Sequence, residues 1–389
     1  MKKAASDFQV FVKPVGALCN LACKYCYYLK SGALNPEKGN ARMPDELLED
    51  YIVQHINASP GPDIFFSWHG GEPTMAGLQY FKRIVEIQRT HKPKDCLIVN
   101  GLQTNGTLLD DDWCQFLAAE NFMVGISIDG PEDLQSVFRG TKKGNPSFEE
   151  TIRGYELLKT YGIHCEILCV VNAVNVEKPI RVYRFFKELQ CKFLTFLPLV
   201  ERLPSGENVA SERSVSAKAF GHFLCTIFDE WKAFDIGEIK IQIFEEALRT
   251  AFDQEHTICI FKRTCGNVPV VERNGDFYSC DHYVDENHLI GNIGQTSLVE
   301  LLESRSQKAF GMKKRDTLPY FCLECEVLDM CNGACPKDRF IQTPDGKPGL
   351  NYLCEGYKFF FTHSKPFIEE VSEVWKSGQW AVGSLPSPK

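Results

Sequence analysis

The residues best placed to do chemistry are thiols. Cys19-Asn-Leu-Ala-Cys23-Lys-Tyr-Cys26 brings three of them together from one loop. A structural zinc site normally closes with four protein ligands, so three cysteines alone point to a metal centre with an open position. An iron–sulfur cubane held by three thiolates has that property, leaving one iron for a small molecule. A zinc knuckle completed by a distant His is the bland alternative. A second set reads Cys259-x5-Cys265-x14-Cys280, then Cys322-x2-Cys325-x5-Cys331-x3-Cys335, then Cys354. Eight is two sets of four, but spacing cannot assign the ligands, and a CxxC unit does not tell iron from zinc. Six of the 17 cysteines (Cys96, Cys114, Cys165, Cys169, Cys191 and Cys225) sit singly in apolar or helical contexts and read as core.

Elements that could position the first motif precede and follow it. An extended run, Phe8 to Pro14, leads into the cysteines. Further short runs rich in Val, Ile, Leu and Phe cover Ile64–Trp68, Leu97–Gln103, Met123–Asp129, Cys165–Val171 and Lys192–Leu197. Amphipathic stretches lie between them: Pro44–Ile56, Gly77–Thr90, Asp110–Glu120, Phe148–Tyr161 and Pro179–Leu189. Six βα units predict a mostly parallel sheet covered by helices, open or curled into a partial barrel, with functional loops after the strands. The stretch over 198–216, rich in Pro, Ser, Gly and charge, reads as a boundary or a crossing loop, and Ala219–Phe234 as a helix. Val268–Arg273 and Asp276–Cys280, flanking Asn274-Gly275, predict a hairpin.

Composition excludes several classes. With 389 residues the chain can bury a large core without disulfides, and an odd number of cysteines cannot all pair internally. A net charge of −8 and no Lys/Arg run argue against a nucleic-acid partner. Lys2 and Lys3 are followed by Ser6, Asp7 and Gln9 rather than a signal-peptide core, and no apolar run is long enough for a membrane span. The expectation is a soluble, cytoplasmic protein.

CxxxCxxC with Tyr25 before its last Cys resembles the hallmark of the radical S-adenosylmethionine enzymes, and Gly70-Gly71-Glu72-Pro73 after the second strand is an independent match. The resemblance implies a partial (β/α)6 TIM-like barrel over 1–235. There Cys19, Cys23 and Cys26 would bind the first [4Fe-4S] cluster, and the GGEP segment would bind the methionine amino group. It extends to Ser127 and Arg139 as ribose and carboxylate contacts, and to Val200 beside the adenine. The later cysteines are similar to the SPASM extension, a Cys-rich domain assigned to 236–389 with two auxiliary clusters and a C-terminal helix. Cys259, Cys265, Cys280 and Cys335 would hold one cluster; Cys322, Cys325, Cys331 and Cys354 would hold the other. Full ligation implies an electron-transfer role for both.

Within that superfamily the chain is most similar to the anaerobic sulfatase-maturating enzymes. The carrying segments are Tyr27-Tyr28, Leu102-Gln-Thr-Asn-Gly-Thr107, Ser127-Ile-Asp-Gly-Pro131, Cys280-Asp281-His-Tyr283 and Asn351-Tyr-Leu-Cys-Glu-Gly-Tyr357. The resemblance implies oxidation of Cys or Ser in a Cys/Ser-x-Pro-x-Arg segment of an unfolded or nascent sulfatase to Cα-formylglycine. A 5′-deoxyadenosyl radical would take a hydrogen atom from Cβ, and a flavodoxin- or ferredoxin-type reductant would supply electrons. The substrate must also lose a proton, and Asp281 is the candidate base, with partial burial expected to raise its pKa toward neutrality. Capping of a turn is the ordinary use of such an Asp. Tyr28 and His69 are candidates for contacting the peptide, His69 standing where some relatives have Gln. Two rival readings are a thioether-forming SPASM enzyme and a zinc-stabilised scaffold. The first commonly carries a leader-binding domain, for which the residues before Cys19 are too few.

Overall fold

The computed structural model describes residues 3–28, 42–203 and 208–377. Lys2, and residues 204–207 of the expected crossing loop, lie outside them. The chain divides into two compact units, each gathered from separate stretches. Unit 1 comprises Met1–Ile128, Phe138–Glu166 and Cys265–Lys313; unit 2 comprises Asp129–Val137, Ile167–Thr264 and Lys314–Lys389.

In unit 1, strands β1 (Phe11–Val12), β2 (Asp63–Trp68), β3 (Leu97–Thr104) and β4 (Met123–Ser127) run parallel in that order. β5 (Cys165–Val171) begins in this unit and ends in the other. In unit 2 it is followed in parallel by β6 (Phe193–Pro198) and β7 (Lys240–Ile241). The intervening helices, Asp45–Ala58, Leu78–His91, Asp111–Ala119, Phe148–Thr160 and Pro179–Glu188, fall within two residues of the expected ones. Apolar periodicity fixes their buried faces: Leu48, Tyr51 and Ile52 in the first, Tyr80, Phe81, Ile84 and Val85 in the second.

The predicted hairpin forms as β8 (Val270–Val271) and β9 (Asp276–Tyr278), continued by β10 (Leu289–Asn292). Its unexpected feature is a parallel pairing of β8 with β1, Phe11 opposite Val270 and Val12 opposite Val271. Unit 1 thus reads β10-β9-β8-β1-β2-β3-β4. In each unit the strands form the expected mostly parallel α/β sheet, and among the described residues β10 pairs only with β9 and β7 only with β6.

In unit 2 the helices Ala217–Phe234 and Cys354–Lys376 cross at a glycine contact. A Cβ on Gly356 would lie 2.1 Å from the Ala217 carbonyl oxygen, so the backbones meet without side chains between them. No helix among the described residues is long and apolar enough to cross a membrane.

One core histidine has a measurable consequence. His55 is 1 % exposed, its ring stacked on Phe66 at 4.3 Å and its Nδ1 2.8 Å from the Tyr51 hydroxyl. Burial lowers its pKa to about 3, against a smaller opposing effect of a backbone hydrogen bond at Phe65. The folded chain therefore keeps it neutral where the unfolded chain takes up a proton. Its contribution is fully present above the unfolded value near 6.5 and is lost as pH falls toward about 3. Urea unfolding of the anaerobic holoprotein at pH 7.5 and 5.5 tests this: His55→Leu removes up to about 1.4 kcal/mol per pH unit of the acid-side loss. An unchanged slope contradicts it.

Candidate active site and cysteine centres

The first cysteine loop follows β1 and is held by the GGEP segment after β2, both in unit 1. Gly71 and Glu72 donate their N–H groups to the Gly16 and Leu18 carbonyls, each at 2.9 Å. The approach is closer than a side chain permits: a Cβ on Gly71 would stand 2.3 Å from the Leu18 oxygen. The Glu72 side chain is fully buried and saturated. It accepts from the Thr74 and Thr104 hydroxyls at 2.6 and 2.8 Å and from the Thr74 and Asn105 N–H groups at 3.2 and 2.7 Å. The carboxylate thus welds β3 to the GGEP turn, and Pro73 starts the short helix Pro73–Ala76 that it caps. Asn105 also places its Nδ2 3.8 Å from the Cys19 sulfur and 2.9 Å from the Asn20 Oδ1.

Burial pushes the Cys19 thiol up to about 11, opposed by the Leu21 N–H and reinforced by Glu72, Cys23 and Cys26. Tyr25, directly before Cys26, accepts a 3.2 Å hydrogen bond from Arg139. Arg139 is only 5 % exposed and not a solvated surface charge. The Ser127 hydroxyl accepts from Gln103 Nε2 at 3.1 Å at the end of β4.

Asp281 lies three residues beyond the end of β9, in a turn closed by the Tyr283 N–H on the Cys280 carbonyl at 3.0 Å. Its Oδ1 accepts from the Tyr28 hydroxyl at 2.7 Å and faces Lys13 Nζ at 2.9 Å, while Oδ2 accepts from the Tyr27 hydroxyl. Lys13, fully buried, also reaches Glu272 at 3.1 Å and lies 4.0 Å over the Tyr28 ring. The register of β1 on β8 brings them together, because Lys13 and Glu272 follow the paired Val12 and Val271. The expected rise in the Asp281 pKa does not occur. Burial acts in that direction, but Lys13, His282 and the two tyrosine hydroxyls outweigh it and hold the carboxyl well below its usual range. Burial, followed by the Asp281 charge, keeps the Tyr28 phenol protonated far above its ordinary value. His69 stacks on Phe11 at 3.9 Å and is lowered to about 4, by burial and by Lys13 against Asp281, so it is a neutral imidazole.

Cys265 and Cys280 share unit 1. Gln307, 2 % exposed, donates one amide to the carbonyls beside both, Gly266 at 2.7 Å and Ser279 at 3.1 Å. In unit 2, Cys322, Cys325, Cys331 and Cys354 gather. Burial first, and then its three partners, push Cys354 up to about 12, and burial with Cys322 and Cys325 takes Cys331 to about 11. Cys259 contributes to raising Cys335, also about 11, after burial and Asp338. The Val200 carbonyl lies 3.5 Å from Lys337 Nζ in the same unit.

Among the described residues no three His, Cys, Asp or Glu side chains are closed around an ion-sized point. The fit to clusters rests on donor chemistry. Thiols gathered in partly buried groups are the donors that iron–sulfur clusters use, and binding releases their protons. Sequence reasoning missed Lys13, Tyr27 and Glu272 as parts of the Asp281 site, together with Asn105 and Gln307. The signal for Lys13 was a charge directly after the apolar Val10-Phe11-Val12.

The profile of the Radical SAM superfamily matches residues 14–186, and that of an iron-sulfur cluster-binding domain, SPASM, matches 259–326. A serine-type anaerobic sulfatase-maturating enzyme of Bacteroides thetaiotaomicron is 44 % identical over 378 residues, covering 94 % of this chain and 91 % of its own. A cysteine-type enzyme of Clostridium perfringens is 34 % identical, covering 93 % of this chain and 98 % of its own. The structure of native anSMEcpe with bound AdoMet and Cp18Cys peptide superposes with a TM-score of 0.84 at 33 % identity, over 95 % of this chain and 99 % of that one. The chain therefore belongs to the anaerobic sulfatase-maturating enzymes, radical S-adenosylmethionine proteins that carry a SPASM iron–sulfur domain.

Proposed function

We propose that the chain oxidises a Cys or Ser in a Cys/Ser-x-Pro-x-Arg segment of an unfolded or nascent sulfatase polypeptide to Cα-formylglycine. Cys19, Cys23 and Cys26 hold the first [4Fe-4S] cluster. Gly70, Gly71, Glu72, Pro73, Tyr25, Ser127, Arg139 and Val200 bind S-adenosylmethionine, Glu72 through its backbone because its carboxylate is already saturated. Cys259, Cys265, Cys280 and Cys335 hold one auxiliary cluster, and Cys322, Cys325, Cys331 and Cys354 the other. When bound, these groups supply a 5′-deoxyadenosyl radical, which removes a hydrogen atom from the substrate Cβ, and electron transfer.

The chain's own residues manage the proton. After hydrogen-atom removal the substrate gives up the S–H or O–H proton, which Asp281 accepts, and one electron, which leaves through the electron-transfer groups. Ser then yields the aldehyde directly, and the Cys thioaldehyde takes oxygen from water and releases hydrogen sulfide. The observation that carries this reading is the position of its buried carboxylate, fixed by Lys13, Tyr27 and Tyr28 one residue after Cys280. A carboxylate offers about four acceptor sites, so three contacts leave one for substrate. Tyr28 and the neutral His69 flank the peptide. The functional division is placed at residue 235, the compartment is the cytoplasm, and the electron source is a flavodoxin- or ferredoxin-type protein.

The test is mass spectrometry of a sulfatase-type peptide, in Cys and Ser versions, after incubation with reconstituted protein, reductant and S-adenosylmethionine. Formylglycine is expected; an unmodified peptide despite cofactor cleavage contradicts the substrate assignment. Cys23→Ala is expected to abolish 5′-deoxyadenosine formation. Asp281→Asn should retain that cleavage while losing roughly 10²- to 10⁴-fold in aldehyde yield; a normal yield removes Asp281 from the reaction. Lys13→Met leaves Asp281 and Glu272 buried without their shared cation, for an expected loss of about 3–5 kcal/mol in urea unfolding. Wild-type stability would show the ammonium to be dispensable.

A further inference from the structure

Between Cys331 and Cys335 the backbone is left-handed at three consecutive residues, Asn332 (φ 47°), Gly333 (φ 69°) and Ala334 (φ 48°). Such a run is unfavourable for L-residues, and Ala has no polar side chain to offset it. Arg339 collects all three carbonyls. Its Nε donates to Gly333 at 2.8 Å, and its Nη2 donates to Asn332 at 2.9 Å and Ala334 at 3.3 Å. The guanidinium sits so close that a Cβ on Gly333 would lie 2.6 Å from Nη2. Its remaining arm, Nη1, donates to the Lys314 carbonyl at 2.5 Å. Lys314, 1 % exposed, in turn sends its ammonium to the Cys259 and Ile260 carbonyls, both at 2.7 Å. Asn332 Nδ2 donates to the Phe261 carbonyl at 2.8 Å and completes the frame within unit 2.

We propose that Arg339 and Lys314 are positioning residues for the auxiliary clusters: together they order the segments bearing Cys259, Cys331 and Cys335 and raise the reduction potential of the clusters bound there. The inference rests on the assignment of those cysteines as cluster ligands. Under that assignment Cys331 and Cys335 belong to different clusters, so the loop Arg339 holds fixes one ligand set relative to the other. A thiolate-ligated cluster gains negative charge on reduction, and cations bonded to the ligand backbone favour the reduced form. The guanidinium does this at any working pH, and its planar fork spans several carbonyls where an ammonium cannot.

The experiment compares wild type, Arg339→Gln, Arg339→Lys and Lys314→Met after anaerobic reconstitution. It measures iron per chain, EPR-monitored potentials of the auxiliary clusters, and 5′-deoxyadenosine formation without peptide. Arg339→Gln is expected to lose up to about eight of the roughly twelve irons that three cubanes contain. Auxiliary signal that survives shifts to a more negative potential, and cofactor cleavage persists. Lys314→Met shifts the potential in the same direction. Arg339→Lys keeps the charge but not the fork, so iron falls while the potential of the remaining clusters stays near wild type. Full iron with an unshifted potential in Arg339→Gln overturns the proposal; should that variant not fold, full iron in Arg339→Lys overturns it. Wild-type protein binding only about four irons refutes the ligand assignment itself, and a peptide left unmodified by wild type with full iron refutes only the substrate reading.

Discussion

A single buried ammonium organises the active-site side of unit 1. Lys13 has no exposed surface, and a cation so placed demands anions within contact distance. It finds two, Asp281 and Glu272, from a hairpin more than half the chain away. The contact requires β8 to add to β1 in the observed register, because a shift of one residue would turn Glu272 to the opposite face. It therefore aligns the strand leading into the first cysteine loop with the segment carrying Cys280. Tyr27 and Tyr28, which follow that loop, close on the same carboxylate. Charge, register and the tyrosine hydroxyls specify one arrangement, and loss of any one leaves the others with an unpaired buried group.

A second constraint is steric. The cysteine loop lies directly on the glycine pair of GGEP, with backbone donors meeting backbone acceptors and no room for a Cβ at Gly71. Glu72 holds that arrangement from behind, which is why its side chain is spent on Thr74, Thr104 and Asn105 and not on a ligand. The same division recurs in the C-terminal cysteine segments, where Gln307 in unit 1 and Arg339 with Lys314 in unit 2 bond the carbonyls beside the thiols. In each case a buried polar side chain sets the geometry of a cysteine-bearing segment.

Most of the α/β pattern was legible in the sequence because it is local: period-2 runs and period-3.6 faces place β2 to β6 and their helices within a residue or two. The cysteine spacings and GGEP were legible for the same reason. The addition of β8 to β1 was not, since nothing local specifies pairing between strands some 260 residues apart. That gap hid Lys13 and Glu272, and it reversed the expectation for Asp281: burial was foreseeable, but its cation partner was not. Arg139 is buried against Tyr25 because the loop that carries it folds back along the cysteine motif, a placement that nothing local in the sequence specifies.

The central claim is that the carboxylate held by Lys13 and the two tyrosines receives the substrate's proton. An anaerobic crystal structure of the protein with S-adenosylmethionine and an intact target peptide measures this most directly. The account predicts an Asp281 oxygen within about 3.2 Å of the target Oγ or Sγ, or joined to it by one water, with the Lys13 contact intact. A peptide bound with its target side chain turned toward another base, and Asp281 still enclosed by its three partners, would contradict it.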